Sequence, residues 1–212
     1  MLAKHLVITI FSVKILMEKS VKRILIVNGN SKDASFCHGL AEAYAQGARE
    51  SGYEVDTIHL CSLEFQVISK SGYGKDEDLE PDLVAFQTKI GEASHLVFVY
   101  PIWWGSVPAL LKGALDRVFL PGFAFRYQKG SPFPEQLLKG KTARLLVTMD
   151  TPPWYYKLVY GAPAHKMMKR TVLGFCGVKP INATEFGPVI NSSDKSRQKW
   201  LSKARALGSK AA

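Results

Sequence analysis

One stretch of the sequence decides the fold class: Tyr100-Pro101-Ile102-Trp103-Trp104-Gly105-Ser106-Val107-Pro108-Ala109-Leu110-Leu111-Lys112-Gly113. It follows an apolar run, residues 95–100, that is typical of a buried strand. It leads into residues 108–118, which have the apolar spacing of a helix with proline in its first turn. In an α/β sheet, a loop between a strand and the next helix lies at the carboxyl edge, where ligands bind. The tandem tryptophans in this loop therefore predict a site for a flat aromatic ligand, and two core aromatic residues under the helix are the alternative.

The same alternation of strand and helix extends along the chain. Apolar, β-branched runs predict strands over residues 21–27, 53–60, 95–100, 143–148 and 179–186. Helical spacing predicts helices over residues 35–51, 81–93, 107–119, 160–175 and 192–207. The stretch 120–140, which contains three glycines and three prolines, is predicted to be a long loop. Five strands separated by helices indicate an α/β fold with an open, doubly wound parallel sheet.

Composition indicates an ordinary globular protein. The chain has 212 residues, of which 47% are hydrophobic and 22% charged, and this length is sufficient to bury a sizeable core. Its three cysteines, Cys37, Cys61 and Cys176, have no C-x-x-C spacing. We expect no disulfide framework or structural zinc site, three buried unreactive thiols, and a reducing compartment, the cytoplasm.

The net charge of +10 is uneven, because six basic residues and one acidic residue in the last 22 positions contribute +5 of it. Trp200 is the sole aromatic residue there, whereas a nucleic-acid surface interleaves aromatic and basic side chains. We therefore predict a solvated helix face and no nucleic-acid partner, although a basic surface attracts nucleotides and anionic membranes non-specifically.

The N-terminal segment contains an apolar run over residues 6–13 that is interrupted at Lys14. This run is too short to span a membrane, and no cleavage site typical of a signal peptide follows it. We expect no integral membrane segment. We interpret residues 1–20 as an extension, with Met17 as the natural start, and residues 21–212 as one domain.

Two further loops follow predicted strands at the same sheet edge. The first is Asn28-Gly29-Asn30-Ser31-Lys32-Asp33-Ala34-Ser35-Phe36, a polar loop at a helix N-terminus, where backbone N–H groups bind phosphate. It has neither the dinucleotide fingerprint nor the lysine of a nucleotide-hydrolysing loop. Its neutral donors suit the phosphate of a bound cofactor, and a plain N-capped turn is the alternative.

The second is Thr148-Met149-Asp150-Thr151-Pro152-Pro153-Trp154-Tyr155-Tyr156. Its threonines can bind ring heteroatoms and its aromatic residues can form the wall of a pocket. A rigid Pro-Pro loop packed by aromatic residues is an equally good interpretation.

Together these segments resemble a known family. Residues 101–119 and the following Gly122-Phe123-Ala124-Phe125 are similar to the flavodoxin-like NAD(P)H:quinone oxidoreductases. That family has proline, a hydrophobic residue and tryptophan before V-P-A and K-G, then D/E-R-V, then G-F-A-Y. The similarity extends from about residue 22 to residue 207. It implies a flavodoxin-like five-stranded sheet in the order 2-1-3-4-5 with helices on both faces.

The resemblance also implies a cofactor and a reaction. A flavin would have its phosphate at Asn30, Ser31, Ser35 and Phe36. Its ring would lie along Pro101, Ile102, Trp103, Trp104 and Gly105, with Thr148, Asp150 and Thr151 beyond it. Hydride would pass from NAD(P)H to the flavin and then to a quinone-like acceptor in two steps, with the two substrates taking turns. The family is usually homodimeric. The sequence does not decide between FMN and FAD, and residues 62–80 are a candidate for contacts with an adenosine.

The chain departs from the family after its fourth predicted strand. Many relatives have a glycine-rich T-T-G-G segment at residues 148–153, and we expect Asp150 to face outward. Some relatives balance charge on the reduced flavin with tyrosine and histidine. Tyr155 or Tyr156 is the candidate for the tyrosine. His165 is a candidate for the histidine, although a surface histidine on a helix is the simpler interpretation. No histidine has a spacing typical of a metal site, and we expect no metal.

The resemblance leaves two alternatives to an enzyme. One is an electron carrier like flavodoxin, but such carriers are usually strongly acidic and lack a substrate pocket. The other is a regulatory flavoprotein subunit of a transport system. Steady turnover of NAD(P)H by the isolated protein would favour the enzyme, and co-purification with a membrane protein would favour the regulatory subunit.

Overall fold

A computed structural model describes residues 22–69 and 78–211 of the chain. The strands are β1 (Arg23–Asn28), β2 (Glu54–His59), β3 (His95–Pro101), β4 (Phe125–Arg126), β5 (Glu135–Gln136), β6 (Thr142–Thr148) and β7 (Ile181–Phe186). The helices are α1 (Phe36–Glu50), α2 (Pro81–Glu92), α3 (Ala109–Val118), α4 (Pro153–Leu158), α5 (Pro163–Lys166) and α6 (Asp194–Gly208). Expectations about the natural start at Met17 lie outside the described residues.

The central sheet has five parallel strands in the order β2-β1-β3-β6-β7. This confirms the predicted flavodoxin-like order 2-1-3-4-5, since β4 and β5 form a separate two-stranded hairpin. All seven residues of the central strand β3 are buried, as a parallel sheet covered on both faces requires. The order reverses between β1 and β3, so the crevice between their following loops lies at the topological switch point.

Alternate residues of the central strands pack against different helices. On one face, Ile24, Ile26, Val97 and Val99 join a cluster that includes buried residues of α1 and Ala204 of α6. On the other face, their sequence neighbours pack against α2 and α3, through Leu83, Phe86, Ile90, Leu111 and Ala114. This alternation follows from the two-residue period of a strand. The helices consequently cover both faces of the sheet, as predicted.

Two expectations about local structure need correction. The helix predicted over residues 160–175 is present over residues 163–172, as α5 and the π-helical turn Met167–Val172 that continues it. A separate helix that was not predicted, α4, precedes it from Pro153, and the two are divided where Gly161 and Ala162 adopt positive φ angles of 68° and 49°. The predicted 120–140 loop contains the β4–β5 hairpin. Proline at the start of α4 and α5 explains both helix starts, because proline suits the first helical turn.

The cysteines and the closing helix are as expected with one exception. Cys37 and Cys176 are buried, while Cys61 is only partly buried, and all three are free. Ser193 caps α6 by accepting a hydrogen bond from the backbone of Ser196. Among the helices in the described ranges, none has the length and apolar character needed to cross a membrane.

Candidate active site

The three loops singled out in the sequence meet at the carboxyl edge of the sheet. Backbone hydrogen bonds join them: Gly29 donates to Val99 at 2.8 Å, and Ile102 donates to Thr148 at 2.7 Å. The Cys37 thiol and the Thr148 hydroxyl lie 3.3 Å apart and link the first loop to the third. The Thr148 side chain is buried, and its hydroxyl is engaged in this contact. Burial also raises the pKa of the Cys37 thiol.

The first loop is organised by its own side chains. Asn30 is buried. Its backbone N–H donates to Oδ1 of Asn28 at 3.1 Å, and its own Oδ1 accepts a hydrogen bond from the backbone N–H of Lys32 at 3.0 Å. Ser35 caps α1 by accepting from the backbone of His38 at 3.3 Å. These hydrogen bonds fix the loop where it leads into the N-terminus of a 15-residue helix. The first N–H groups of a helix have no partner within the helix, so they favour binding of an anion.

The tryptophan loop is a tight turn. Trp103 and Ser106 exchange backbone hydrogen bonds of 3.0 and 2.9 Å, and the two residues between them, Trp104 and Gly105, have φ angles of 50° and 77°. A positive φ is rare for a bulky side chain and costs free energy. The turn leaves the Trp104 side chain fully exposed and the Trp103 side chain 40% exposed. Two large indoles thus face solvent at the edge where ligands bind.

The third loop turns outward and starts α4. Asp150 is exposed, as expected, and its carboxylate accepts a hydrogen bond from the backbone of Ile190 at 2.8 Å. Trp154 and Tyr155 pack edge to face with ring centroids 5.6 Å apart, and Tyr155 contacts Tyr160 in the same way at 5.2 Å. The aromatic residues of this segment consequently form one packed group beside the tryptophan turn.

Two adjoining cavities bring most of the predicted residues together. The smaller, about 260 Å³, is lined by seven residues predicted to bind the cofactor: Asn30, Phe36, Pro101, Ile102, Trp103, Thr148 and Asp150. The larger, about 520 Å³, is lined by Ile102, Trp104, Gly105, Thr151, Tyr156, Tyr160 and Pro163. Ile102 is common to both linings, so the cavities share a wall. Ser31 is exposed and Ser35 is partly buried on the loop beside the smaller cavity.

Some residues of these cavities were missed in the sequence. Lys32, Cys37, Met149 and Val189 line the smaller cavity, and Tyr160 and Pro163 line the larger one. Lys32, Cys37 and Met149 adjoin predicted residues along the chain, so extending each motif by one position would have found them. Val189 follows β7, and no local pattern identifies it.

Tyr156 is buried and its hydroxyl is fully engaged. It donates to the carbonyl of Gly105 at 3.1 Å and accepts from the backbone of Ala164 at 3.0 Å. Burial raises the pKa of the Tyr156 phenol, so it carries its proton at neutral pH. The side chain ties α4 both to the tryptophan turn and to the start of α5.

His165 is not the surface histidine that the sequence suggested. It is 7% exposed, and its Nε2 lies 3.2 Å from Oε1 of Glu185 on β7. Its ring centroid lies 5.4 Å from that of Tyr156. The contact with His165 and an ion pair with Lys157 lower the pKa of Glu185 to about 2. The break between α4 and α5 explains the error, because it turns the histidine inward.

A family described as having a flavodoxin-like fold matches residues 22–207. Human ribosyldihydronicotinamide dehydrogenase [quinone] is 30% identical over 203 residues, covering 82% of this chain and 85% of its own. The chain belongs to the flavodoxin-like NAD(P)H:quinone oxidoreductase family.

A further relative and two solved structures are similar to this chain in sequence or in fold. NAD(P)H dehydrogenase [quinone] 1 of Cavia porcellus is 31% identical over 66% of this chain, but the match spans only 57% of that relative. Smu.1420 from Streptococcus mutans UA159 has a TM-score of 0.76 at 28% identity and covers 89% of this chain and 99% of its own. The NAD(P)H:quinone oxidoreductase from Methanothermobacter marburgensis has a TM-score of 0.73 at 24% identity. The match covers 90% of this chain and 96% of that structure's chain.

Within this quinone oxidoreductase fold, the described residues fit a flavin. The smaller cavity reaches from the polar loop at the α1 N-terminus to the side chain of Trp103. Its polar end suits a phosphate and its apolar end suits a flat ring. Gly29 permits this arrangement, because a Cβ there would lie 2.8 Å from the Leu111 side chain and displace the loop or α3.

Proposed function

We propose that this protein is a flavin-dependent NAD(P)H oxidoreductase that reduces a quinone-like acceptor by two electrons. The observation that carries this proposal is the pair of adjoining cavities with a common wall at Ile102. One cavity has a phosphate-binding end, and the other is open, lined by aromatic residues and large enough for a second ring. That division suits a resident cofactor beside a substrate site.

In this proposal each cavity has its own ligand. The flavin, FMN or FAD, occupies the smaller cavity, with its phosphate at Asn30, Ser31, Ser35 and Phe36. Its ring borders residues 101–105, Thr148 and Thr151. NAD(P)H and the acceptor occupy the larger cavity in turn, against Trp104 and Tyr160. When bound, a flavin supplies hydride chemistry that amino-acid side chains lack, while the protein orients the rings and excludes water.

The proposed roles of the polar residues follow from their contacts. Tyr156 holds the Gly105 carbonyl in place and presents its ring to the larger cavity. His165, paired with Glu185, provides a buried group that can hold a proton next to Tyr156. Tyr155 has a positioning role, because it packs on Tyr160 in the wall of the larger cavity.

The primary experiment is to purify the protein, record its visible spectrum and identify the released flavin by chromatography. Steady oxidation of NADH or NADPH is then followed with a soluble naphthoquinone as the acceptor. We expect bound or bindable flavin and turnover that depends on both substrates. A protein that stays colourless after FMN and FAD are added contradicts the proposal. Flavin binding without turnover of NAD(P)H indicates the electron carrier or the regulatory subunit instead.

A matched pair of variants tests the site itself. Trp104→Ala removes an indole that borders the larger cavity, and we expect kcat/KM for the acceptor to fall about fivefold, since an aromatic contact is worth about 1 kcal/mol. Phe133→Ala removes another large aromatic side chain, which is 77% exposed between β4 and β5 and lies outside both cavity linings. This control variant is expected to keep the kcat/KM of the unmodified protein. Equal values in all three proteins contradict the assignment of the larger cavity.

We further propose that the protein works as a homodimer. Leu158, Val159 and Tyr160 are 80%, 56% and 53% exposed on consecutive positions after α4, next to exposed Trp104 and Trp154. Contiguous apolar surface of this kind is characteristic of subunit interfaces. A second copy placed here would cover the open side of the larger cavity. Sedimentation equilibrium should give twice the mass of the chain, and Leu158→Glu should shift it towards the monomer.

We place this enzyme in the cytoplasm. Three cysteines without a disulfide are consistent with a reducing compartment. Fractionation of the native host followed by an immunoblot tests this placement, and recovery in an extracellular or membrane fraction contradicts it.

A further inference from the structure

Three side chains with metal-binding atoms meet between α1 and the end of β2. They are His38, Glu42 and His59, and one ligand atom from each lies within 4.8 Å of the other two. His38 and Glu42 are four positions apart on α1, so they share one face of the helix. His59 is the last residue of β2 and faces them across the gap. The fold thus brings together residues that are up to 21 positions apart in the chain.

The contacts within this cluster leave metal-binding atoms available. His59 Nε2 lies 3.9 Å from Glu42 Oε1, slightly farther than two ligands of one tetrahedral ion. His38 Nδ1 is buried and has no hydrogen-bond partner among residues 22–69 and 78–211. Buried polar atoms without a partner are uncommon, because each forfeits its hydration. This nitrogen is therefore available to bind a ligand.

We propose that His38, Glu42 and His59 form a binding site for a divalent transition-metal ion of the zinc class, with water as the fourth ligand. Two imidazoles and one carboxylate are a common ligand set for Zn²⁺, and imidazole also suits Cu²⁺ and Ni²⁺. The Glu42 side chain is 48% exposed and that of His59 is 22% exposed, so an ion can enter from solvent.

Binding requires two local adjustments. The imidazole rings of His38 and His59 are stacked, with centroids 4.4 Å apart and planes 13° apart, whereas a metal ion must lie near the plane of each ring. One ring must therefore rotate, which the partial exposure of both side chains permits. In addition, Asn28 Nδ2 lies 3.2 Å from His59 Nδ1. Ligation through Nε2 makes Nδ1 a donor, so the contact with Asn28 Nδ2 must be given up, while Asn28 Oδ1 keeps its hydrogen bond from the Asn30 backbone.

The sequence did not predict this site, because its three residues have no spacing along the chain that is characteristic of a metal site. His38 and Glu42 alone form an ordinary i, i+4 pair, and the third ligand comes from the adjacent strand. The proposal does not depend on the proposed enzymatic function, since none of the three residues lines either cavity of the candidate active site.

The test uses tag-free, flavin-free protein, first treated with chelator and then dialysed. Isothermal titration calorimetry with Zn²⁺ measures stoichiometry and affinity, and Co²⁺ titration monitors the visible absorption of a four-coordinate site. We expect one Zn²⁺ per chain. Glu42→Gln should weaken binding at least tenfold, and the double variant His38→Gln/His59→Gln should abolish it. Glu50→Gln, which alters a more distant exposed carboxylate on the same helix, should bind as the unmodified protein does.

Two results would overturn the proposal. One is the absence of both calorimetric heat and a Co²⁺ spectrum with the unmodified protein. The other is unchanged affinity in Glu42→Gln and in the double variant, which would place the ion elsewhere. Glu42 is exposed, so its variant keeps the test valid even where the double variant unfolds, and circular dichroism checks the fold of each. Because flavin is absent throughout, failure of the metal site and failure of the proposed enzymatic function are distinguishable.

Discussion

The hydroxyl of Tyr156 and the carbonyl of Gly105 form a 3.1 Å hydrogen bond that connects the segment after β6 to the tryptophan turn after β3. Both groups are supplied by loops at the carboxyl edge, and the same hydroxyl accepts a hydrogen bond from the backbone of Ala164. One side chain thus sets the position of two walls of the larger cavity. Removal of this hydroxyl should loosen these two walls and leave the central sheet intact.

The first prediction concerns this hydroxyl. Tyr156→Phe should lower the free energy of unfolding by about 1 to 2 kcal/mol, because two backbone groups lose their partner. It should also weaken flavin binding, as the tryptophan turn is no longer held. Urea unfolding and flavin titration provide the two measurements. Tyr160→Phe is the control, since Tyr160 is 53% exposed, and a loss of stability in the control equal to that in Tyr156→Phe would contradict the assignment.

The second prediction concerns backbone strain at Trp104. Trp104→Gly should stabilise the flavin-free protein by about 1 kcal/mol, because glycine adopts φ near 50° without a steric penalty. The same change removes the indole from the larger cavity and should reduce kcat/KM for the acceptor. Thermal unfolding and steady-state kinetics measure the two effects. Trp104→Ala keeps the positive φ and removes the indole, so it should lose activity without the gain in stability.

The third prediction is a pH dependence. The pKa of Glu185 is lowered to about 2 from an ordinary value of 4.5 by His165 and Lys157. A depressed folded-state pKa stabilises the protein above the unfolded-state value, and this stabilisation is lost as the pH falls from about 4.5 towards 2. Glu185→Gln should therefore cost about 2 kcal/mol at pH 7. The difference from the unmodified protein should shrink in urea titrations between pH 5 and pH 3.

An exposed ion pair provides the control for this pH dependence. Glu135 pairs with Arg126 at 3.1 Å on the hairpin, with side chains 39% and 61% exposed. Solvent screens such a pair, so Glu135→Gln should change stability by less than about 1 kcal/mol at any pH. Equal pH profiles for the two variants would show that Glu185 has no special role.

The fourth prediction concerns the contact between α1 and α6. A Cβ on Gly47 would lie 2.0 Å from the backbone oxygen of Arg205, so Gly47→Ala should force the helices apart and cost about 2 kcal/mol or more. The control is Gly91→Ala in α2, where a Cβ has no neighbour within 4 Å. This change should stabilise the protein by about 0.5 to 1 kcal/mol, because alanine is the better helix former. Chemical denaturation measures the free energy of unfolding of both variants, and the two changes should have opposite signs.

Much of the fold could be predicted because its signals are local. The buried run of β3 and the proline-started helices follow from hydrophobic period and helix-start chemistry, and the sheet order followed from resemblance. The helix predicted over residues 160–175 is present over residues 163–172, but the separate helix α4 before it was not predicted. The left-handed residues Gly161 and Ala162 form the break between the two helices. Contacts such as that of Tyr156 with Gly105 and Ala164 hold that break in place, and they involve residues up to 51 positions apart.

The sequence by itself determined the alternation of strands and helices, and which loops lie at the carboxyl edge of the sheet, since both depend on near neighbours in the chain. Only the tertiary structure decided that the two tryptophans border different cavities, that His165 is buried against Glu185, and that His38, Glu42 and His59 form one cluster. These relationships join distant segments, and the packing of helices on the sheet sets their distances.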